Sequence, residues 1–337
     1  MSTRLSDYSY CLPREFIAQE PLAERDKSRL LVLDRCTGDI EHRSFLDLPE
    51  YLVPGDTLVM NDTQVTARRL FGVKPTGGKI EALLMRHLGG GRWEAMVKPG
   101  RRVAVGSRIC FDGGLDAQVV ERTEDGGRVL DFESPEVAEI VGRIGEVPLP
   151  PYILSTLSDP SRYQTVYAES PGSAAAPTAG LHFTPKLLHR LRDHGVRTAS
   201  VTLQVGIATF RPVRVEDIAE HVMHRERVSL SADAAEVINS AEGRVIAVGT
   251  TTARVLESAA VGYGKVAAMD GETGLYITPG YRFQILDALI TNFHMPKSTL
   301  LILVSAFAGR GRVLHAYEEA KRRGYRFLSF GDAMLIV

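Results

Sequence analysis

The stretch "RVIAVGTTTARVLES", residues 244–258, joins a continuous apolar run to a helical pattern through one glycine and three threonines. The apolar run predicts a buried strand, and the residues after Gly249 predict a helix. Similar units alternate along the chain, with strands expected at 198–205, 244–249, 287–293 and 325–332 and helices between them. This alternation predicts an α/β layer fold.

A different pattern fills the chain between about residues 56 and 145. Short runs rich in valine, leucine and isoleucine are separated by glycine pairs, which are hairpin signals. The regular spacing predicts a small antiparallel barrel, and "SRLLVLD" (28–34) provides one more buried strand before it. We therefore expect an α/β domain from residues 1–55 and 147–337, with a small antiparallel β-barrel domain inserted at 56–146.

Composition restricts the classes of partner and compartment. The 40 Lys and Arg against 41 Asp and Glu give a net charge of −1, so any nucleic acid must be bound by local basic patches. Three widely spaced cysteines, Cys11, Cys36 and Cys110, disfavour disulfides and a cysteine zinc site and indicate a reducing cytoplasm. No apolar run approaches the ~20 residues of a membrane span, so we expect no membrane partner.

Polar residues follow three of the expected strands. Ligands gather at strand ends in α/β sheets, and a helix N-terminus after a glycine turn suits a carboxylate or phosphate. Three such junctions therefore predict a site, with these candidates: Gln204 after the first strand; Thr250, Thr251 and Arg254 after the second; Asn292, His294 and Lys297 after the third.

The loop "APTAGLH" (176–182) has little side-chain bulk and brings Thr178 and His182 to the start of a helix with Thr184 as N-cap. Such a loop lets the backbone approach a ligand closely. It is equally compatible with a tight connection that contains a packed histidine.

Two other patterns have weaker signals. His221 and His224 in "HVMHRE" have the spacing of one helical face, with Glu226 nearby, but no third metal ligand is marked. Surface or packed histidines are the plainer interpretation, and we predict no metal. Basic residues of the barrel region predict a phosphate-contacting surface: Arg68, Arg69, Lys98, Arg101 and Arg102.

Longer stretches resemble a known family. The stretches at 162–188 ("RYQTVYAESPGSAAAPTAGLHFTPKLL"), 244–258, 287–309 and 325–336 ("YRFLSFGDAMLI") are similar to the S-adenosylmethionine:tRNA ribosyltransferase-isomerase family of queuosine biosynthesis. The similarity continues through "PREFIAQEP", "YLVPGDTLVMNDT" and "PLPPYI", and so covers nearly the whole chain in order.

The resemblance implies a reaction. The ribosyl part of S-adenosylmethionine moves onto the aminomethyl group of 7-aminomethyl-7-deazaguanine at the tRNA wobble position, giving epoxyqueuosine with release of adenine and methionine. S-adenosylmethionine is then consumed as a substrate, the partner is tRNA carrying the deazaguanine, and the fold is an α/β domain with an inserted β-barrel.

Such a reaction needs a base for the carbon next to the sulfonium and an acid for the departing adenine. The candidates in matching segments are His182, His221, His224, His294 and Asp332. For the methionine carboxylate or a tRNA phosphate we expect the Thr250–Thr251 turn, Arg254 and Lys297. Tyr152 and Tyr163 are expected as stacking platforms for the unstacked base.

The chain departs from the family pattern at two places. "VTLQVGIATF" (201–210) has Gln204 where the family has histidine and Ala208 where it has glycine, and "NDTQVTARRL" (61–70) has Gln64 for arginine and Arg68 for alanine. Glutamine cannot exchange a proton near neutral pH. Two alternatives therefore stay open at this point: a paralogue that binds tRNA or S-adenosylmethionine without turnover, and an α/β hydrolase or metalloenzyme built on His221 and His224.

Overall fold

The computed structural model describes residues 3–123, 126–134, 136–206 and 213–337. The chain divides into two compact units. The first comprises Met1–Thr63, Pro151–Ser170 and Ala176–Val337, and the second comprises Gln64–Pro150 and Pro171–Ala175. The first unit is an α/β unit and the second contains a closed barrel, so the predicted fold class is confirmed.

Strands and helices are numbered in chain order. The strands are β1 Arg29–Leu33, β2 Ile40–Ser44, β3 Thr57–Asn61, β4 Thr63–Val65, β5 Arg68–Val73, β6 Lys79–Gly89, β7 Arg92–Lys98, β8 Arg108–Phe111, β9 Leu115–Arg122, β10 Arg128–Asp131, β11 Ser170–Ser173, β12 Arg197–Leu203, β13 Glu226–Leu230, β14 Val245–Val248, β15 Ala260–Gly262, β16 Lys265–Val266, β17 Met269–Thr273, β18 Ala288–Asn292 and β19 Ala333–Ile336. The α-helices are α1 Val137–Ile144, α2 Pro185–Asp193, α3 Ala232–Asn239, α4 Thr250–Ser258, α5 Thr299–Ala308 and α6 Arg310–Arg322.

The α/β unit is built on a nine-stranded sheet in the order β17-β13-β12-β3-β14-β18-β19-β1-β2. Strands β12, β3, β14 and β18 are mutually parallel. Strand β19 is antiparallel to β18 and parallel to β1. The carboxyl ends of the four central strands therefore meet the amino ends of β19 and β1 at one edge of the sheet, which we call the carboxyl edge.

The central strands are buried on both faces, as expected where helices cover a parallel sheet. The core under α2 includes Leu187 and Leu191 from that helix and Leu58, Ile246 and Ile290 from three strands. Thr184 caps α2, because its hydroxyl accepts a hydrogen bond from the Leu187 N–H at 3.2 Å, as its sequence predicts.

The barrel unit closes six antiparallel strands in the order β10-β7-β6-β5-β8-β9. Its interior is a separate core that includes Leu84, Trp93, Ile109, Val119 and Phe132. The short runs rich in valine, leucine and isoleucine between the glycine pairs include "RWEAMVKP" (92–99), "SRICFDG" (107–113), "DAQVVER" (116–122) and "RVLDFE" (128–133), which correspond to β7, β8, β9 and β10.

Two expectations differ from the structure. The expected barrel boundary at residue 56 includes β3, but β3 lies in the nine-stranded sheet between β12 and β14, because all five of its residues are buried there. The expected strand at 325–332 is a turn with Leu328 at φ 68°, and the strand is β19 directly after it. The Asp332 carboxylate fixes that turn by accepting backbone N–H groups.

Among the described residues, no helix is by itself long and apolar enough to cross a membrane. Helices α5 and α6 satisfy that test only as a pair, and the pair is bent by 112°.

Candidate active site

His182 is the central histidine of the carboxyl edge. It ends a 3-10 turn over Thr178–His182 and is fully buried, with its ring stacked on Phe45 at 5.0 Å between centroids. Its Nδ1 lies 2.7 Å from Ser28 Oγ, and its Nε2 lies 3.1 Å from Asn292 Nδ2. Both ring nitrogens are therefore occupied by protein partners.

The hydrogen bonds of Asn292 assign the His182 tautomer. Asn292 Nδ2 also contacts the Leu328 carbonyl at 3.3 Å, and its Oδ1 accepts from Thr178 Oγ1 at 3.1 Å. A carbonyl can only accept, so Nδ2 is the donor to His182 Nε2. Nδ1 then carries the proton and donates to Ser28. Burial, with the charges of Arg25 and Arg326, holds the pKa of His182 well below its usual range, so the ring is neutral.

The small residues of the 176–182 loop fit against the chain itself. A Cβ on Gly180 would lie 1.9 Å from Tyr167 Oη and 2.8 Å from Thr165 Cγ2, so only glycine fits there. Nearby Gly249 adopts φ 90°, and its missing Cβ would lie 3.6 Å from Ala179. The loop is thus packed tightly beside the first turn of α4, which agrees with the interpretation of a tight connection.

Asp332 and His294 are also buried and held by the chain. Asp332 accepts the backbone N–H of Arg29 at 2.9 Å and of Arg326 at 2.8 Å, while burial raises its pKa. His294 Nε2 lies 2.7 Å from Thr291 Oγ1, and burial lowers the pKa of His294 to about 3. These contacts hold both side chains in fixed positions.

The polar residues at the end of β3, Asn61 and Asp62, are part of the same edge, and our sequence analysis did not select them. Asn61 donates to Leu203 O at 3.1 Å and to Thr251 Oγ1 at 3.2 Å, which ties β3 to β12 and to α4. Asp62 is only half-buried and accepts from Thr202 Oγ1 at 2.7 Å. Burial raises the Asp62 pKa. The available signal was the polar run directly after a continuous buried strand.

Arg254 was expected to bind the methionine carboxylate or a tRNA phosphate, but it has an acidic partner within the chain. It is buried and paired with Glu226, and its Nε donates to Leu275 O at 3.1 Å. Glu226 also accepts the Gly206 N–H at 3.1 Å. A charge already neutralised by a buried carboxylate is a poor ligand for a second anion, so this pair connects α4, β13 and the end of β12.

His221 and His224 do not share a helical face. They lie in extended chain between a 3-10 turn, Ile218–Glu220, and β13. Strand β13 is antiparallel to β12, so the residues before it lie at the carboxyl edge. The His221 ring packs edge-on against the Tyr276 ring, with 5.2 Å between their centroids. Burial, together with charge repulsion from His224, lowers the pKa of His221. No group of three metal-ligating side chains occurs within the described ranges.

The other candidates have varied surroundings. The backbone N–H of Gln204 donates to Arg227 O at 2.9 Å, and Thr250 is buried at the start of α4. Lys297 is exposed, and its backbone at φ 59° donates to Tyr8 O. Ala208 lies outside the described residues.

The two expected stacking platforms are enclosed to different degrees. The Tyr152 hydroxyl oxygen lies 2.8 Å from Ser329 Oγ, and burial raises the pKa of Tyr152 to about 12. Tyr163 is 1% exposed and packs edge-on against Phe330, so its ring faces are covered and it cannot stack on a base in this conformation.

The basic residues of the barrel unit fall into two groups. Arg69 pairs with Glu81 at 3.0 Å, and Arg68 donates to its neighbouring carbonyl. Lys98, at the end of β7, and Arg101 and Arg102, in the following turn, are exposed, and buried Arg128 holds that turn. The Arg128 guanidinium donates to the carbonyls of Val103, Gly126, Gly127 and Gly100 at 2.7–2.9 Å.

These features define an α/β protein whose polar side chains converge where parallel strands end, the usual place for a ligand in such sheets. A family model described as "Queuosine biosynthesis protein" matches residues 5–336. The chain belongs to this queuosine biosynthesis family.

Similar proteins span the chain from end to end. An S-adenosylmethionine:tRNA ribosyltransferase-isomerase of Carboxydothermus hydrogenoformans is 57% identical over 339 residues, covering 99% of this chain and 100% of the relative. A protein of the same name from Moorella thermoacetica is 55% identical over 342 residues, with the same coverage. The crystal structure of an S-adenosylmethionine tRNA ribosyltransferase from Thermotoga maritima is 39% identical with a TM-score of 0.57, covering 98% of this chain and 100% of that one.

Proposed function

We propose that the protein is an S-adenosylmethionine:tRNA ribosyltransferase-isomerase acting in queuosine biosynthesis. The observation that carries the proposal is the full-length identity of 57% and 55% to two enzymes of that name. The substrates are S-adenosylmethionine and tRNA with 7-aminomethyl-7-deazaguanine at the wobble position. The products are epoxyqueuosine in the tRNA, adenine and methionine.

The carboxyl edge supplies groups for both proton transfers of this reaction. A base must remove a proton from the carbon next to the sulfonium, and an acid must protonate adenine as it leaves. Asp62, His221 and His224 are the candidates with solvent-accessible surface at this edge. We assign the proton transfers to this group, because His182, His294 and Asp332 are buried and already hydrogen-bonded.

The buried candidates then position the site. His182 and Asn292 connect the 3-10 turn to β18, and Ser28 joins them to the chain before β1. A neutral His182 avoids placing a further positive charge beside Arg25 and Arg326, which matters because S-adenosylmethionine brings a sulfonium cation.

The decisive assay combines the purified protein, S-adenosylmethionine and tRNA carrying the aminomethyl-deazaguanine, followed by nuclease digestion and mass spectrometry. We expect epoxyqueuosine, with adenine and methionine released in equal amounts. Binding of both substrates without product would instead identify a non-catalytic paralogue. Gln204→His, assayed in parallel, tests the replacement of the family histidine by glutamine. Product from this variant alone would show that the protein lacks a proton-transfer group at position 204.

Asp62→Asn tests the assignment of proton transfer. The amide keeps the shape but cannot exchange a proton, so we expect kcat to fall by about 10²-fold or more while S-adenosylmethionine binding is retained. Asp270→Asn controls for the loss of one negative charge, because Asp270 is exposed on β17 and reaches Arg227 only at 3.8 Å. An Asp62→Asn enzyme with unchanged kcat would move the role to His221 or His224.

A further inference from the structure

Three arginines of the α/β unit lie together without a carboxylate partner. Arg25, Arg162 and Arg326 are each partly exposed, and none of them takes part in the ion pairs formed among the described residues. We call these three residues the arginine cluster.

Backbone carbonyls hold each guanidinium in place. Arg25 Nε donates to Leu181 O at 2.9 Å, directly beside His182. Arg162 Nη2 donates to the carbonyls of Leu22 and Ala23. Arg326 donates to Phe330 O at 2.9 Å and to Glu20 O at 3.2 Å. Carbonyls orient an arginine without neutralising it, so the cluster keeps its full positive charge.

The three charges are close enough to affect one another. The Arg25 guanidinium lies 5.6 Å from the centre of the Phe330 ring, and the Phe330 carbonyl is the one that Arg326 contacts. Burial, together with repulsion from Arg162 and Arg326, lowers the pKa of Arg25 to about 9. Asp332 is a nearby carboxylate whose charge offsets part of this repulsion. It forms no ion pair with the cluster, and its two oxygens accept backbone N–H groups of Arg29 and Arg326.

One donor of the cluster is buried and unsatisfied. Among the described residues, Arg25 Nη2 has no hydrogen-bond partner. Leaving a buried charged donor unpaired is costly, and such an atom needs a partner from outside the chain. Like charges assembled at that cost and fixed by carbonyls form a preorganised anion site.

We propose that the arginine cluster binds backbone phosphate groups of the tRNA beside the reacting nucleotide. This inference rests on the proposed function, since it names the part of the tRNA that the carboxyl edge contacts. Guanidinium groups match phosphate oxygens through paired N–H donors.

The other substrate is a poor match for the cluster. The methionine end of S-adenosylmethionine has one carboxylate, but an ammonium and a sulfonium accompany it, so three fixed cations would repel the molecule as a whole. A phosphodiester chain brings one negative charge per nucleotide and no cation. Binding of the methionine carboxylate by the cluster is therefore an alternative that the test below can detect.

The test is tRNA binding measured over a range of salt concentrations with Arg162→Gln, Arg326→Gln and Arg162→Lys. Each lost phosphate contact lowers the slope of log K against log[salt] by roughly 0.7–0.9. We expect that decrease for each glutamine variant, a retained slope for Arg162→Lys, and unchanged S-adenosylmethionine binding. Arg197→Gln is the matched control, because Arg197 is also held by carbonyls, those of Ser240 and Val237, but begins β12 at the opposite edge.

Other outcomes overturn the inference. Unchanged salt slopes in folded Arg162→Gln and Arg326→Gln would exclude phosphate contacts there. Weaker S-adenosylmethionine binding with an unchanged slope would assign the cluster to the methionine carboxylate. Thermal melting checks folding, and Arg162→Gln decides alone if Arg326→Gln is unstable. The wild-type assay tests the proposed function separately, because tRNA binding with a normal slope but no product would remove only the catalytic claim.

Discussion

At the scale of single residues, the buried histidines show how an environment decides a role. Histidine is a common acid–base group, which is why His182 and His294 were selected from the sequence. In the structure both are enclosed and hydrogen-bonded, and their pKa values lie below the usual value. Both rings are therefore neutral near pH 7.

This neutrality predicts an acid sensitivity. The unfolded chain protonates histidine near pH 6.5, whereas the folded state cannot, so folding stability is intact above that pH and decreases as pH falls toward the folded pKa. Each buried histidine should cost about 2 kcal/mol between pH 7 and pH 5. Urea unfolding at the two pH values measures the loss.

A pair of variants isolates the cause. His294→Gln can keep a hydrogen bond to Thr291 but cannot titrate, so its stability should fall less between pH 7 and pH 5 than that of the wild type. His189→Gln removes an exposed histidine and should leave the difference unchanged. Equal pH dependence in all three proteins would show that other groups dominate.

At the scale of elements, buried polar pairs fix the ends of strands and helices. Glu226 begins β13, accepts the Gly206 N–H and neutralises Arg254 in the second turn of α4. Thr184 joins the start of α2 to Asp26 at 2.7 Å. Each pair holds one junction of the carboxyl edge to its neighbour.

Removing one partner of the buried ion pair should be far worse than removing both. Glu226→Gln leaves the Arg254 charge buried and should lower the free energy of unfolding by about 3–5 kcal/mol. The double variant Glu226→Gln with Arg254→Met should recover a large part of that loss. Denaturant unfolding of the two single variants and the double variant gives the coupling energy, and strict additivity would contradict the prediction.

The cap of α2 has a smaller effect. Thr184→Ala removes the hydrogen bonds to the Leu187 N–H and to Asp26, and should cost about 1–2 kcal/mol. Thr184→Ser keeps the hydroxyl and should recover most of the stability. Thermal unfolding of both variants checks this, and equal losses would indicate that the methyl group matters more than the cap.

At the scale of the whole molecule, a net charge of −1 means that RNA must be held by local groups. We expect Arg101 and Arg102, at the turn of the barrel unit held by Arg128, to provide one such group. Reversing both charges should weaken tRNA binding and flatten its salt dependence. Arg143→Glu, at an exposed position of α1 in the same unit, is the control for reversing one charge elsewhere on that unit. An unaltered slope in the double variant would place the RNA surface elsewhere.

The architecture was predictable because it depends on periodicity and on glycine. The apolar runs at β14 and β18 and the glycine-separated hairpins of the barrel are local signals, and each formed as expected. The first boundary of the barrel was not predictable, because nothing in the sequence of the strand-sized run that forms β3 indicates which sheet it joins. Its partners β12 and β14 lie more than a hundred residues away.

The site was predictable only in its location. Strand ends with polar residues identified the carboxyl edge, but sequence cannot tell an enclosed histidine from an accessible one. Arg254 and Glu226 are 28 residues apart, and nothing local marks them as partners. Arg25 and Asp62 were missed for the same reason, since their significance comes from neighbours that only folding supplies.

The place of β19 in the sheet has a consequence for synthesis on the ribosome. Of the strands in the described ranges, β19 is translated last, yet it lies between β18 and β1, which is translated first. The hairpin of β1 and β2 is therefore made early, but the β1 edge that pairs with β19 stays unpaired until almost the entire chain has been translated. Pairing between such distant segments slows folding and exposes strand edges meanwhile. Nascent chains stalled before residue 333 should consequently recruit chaperones, and release of the final strand should end that dependence.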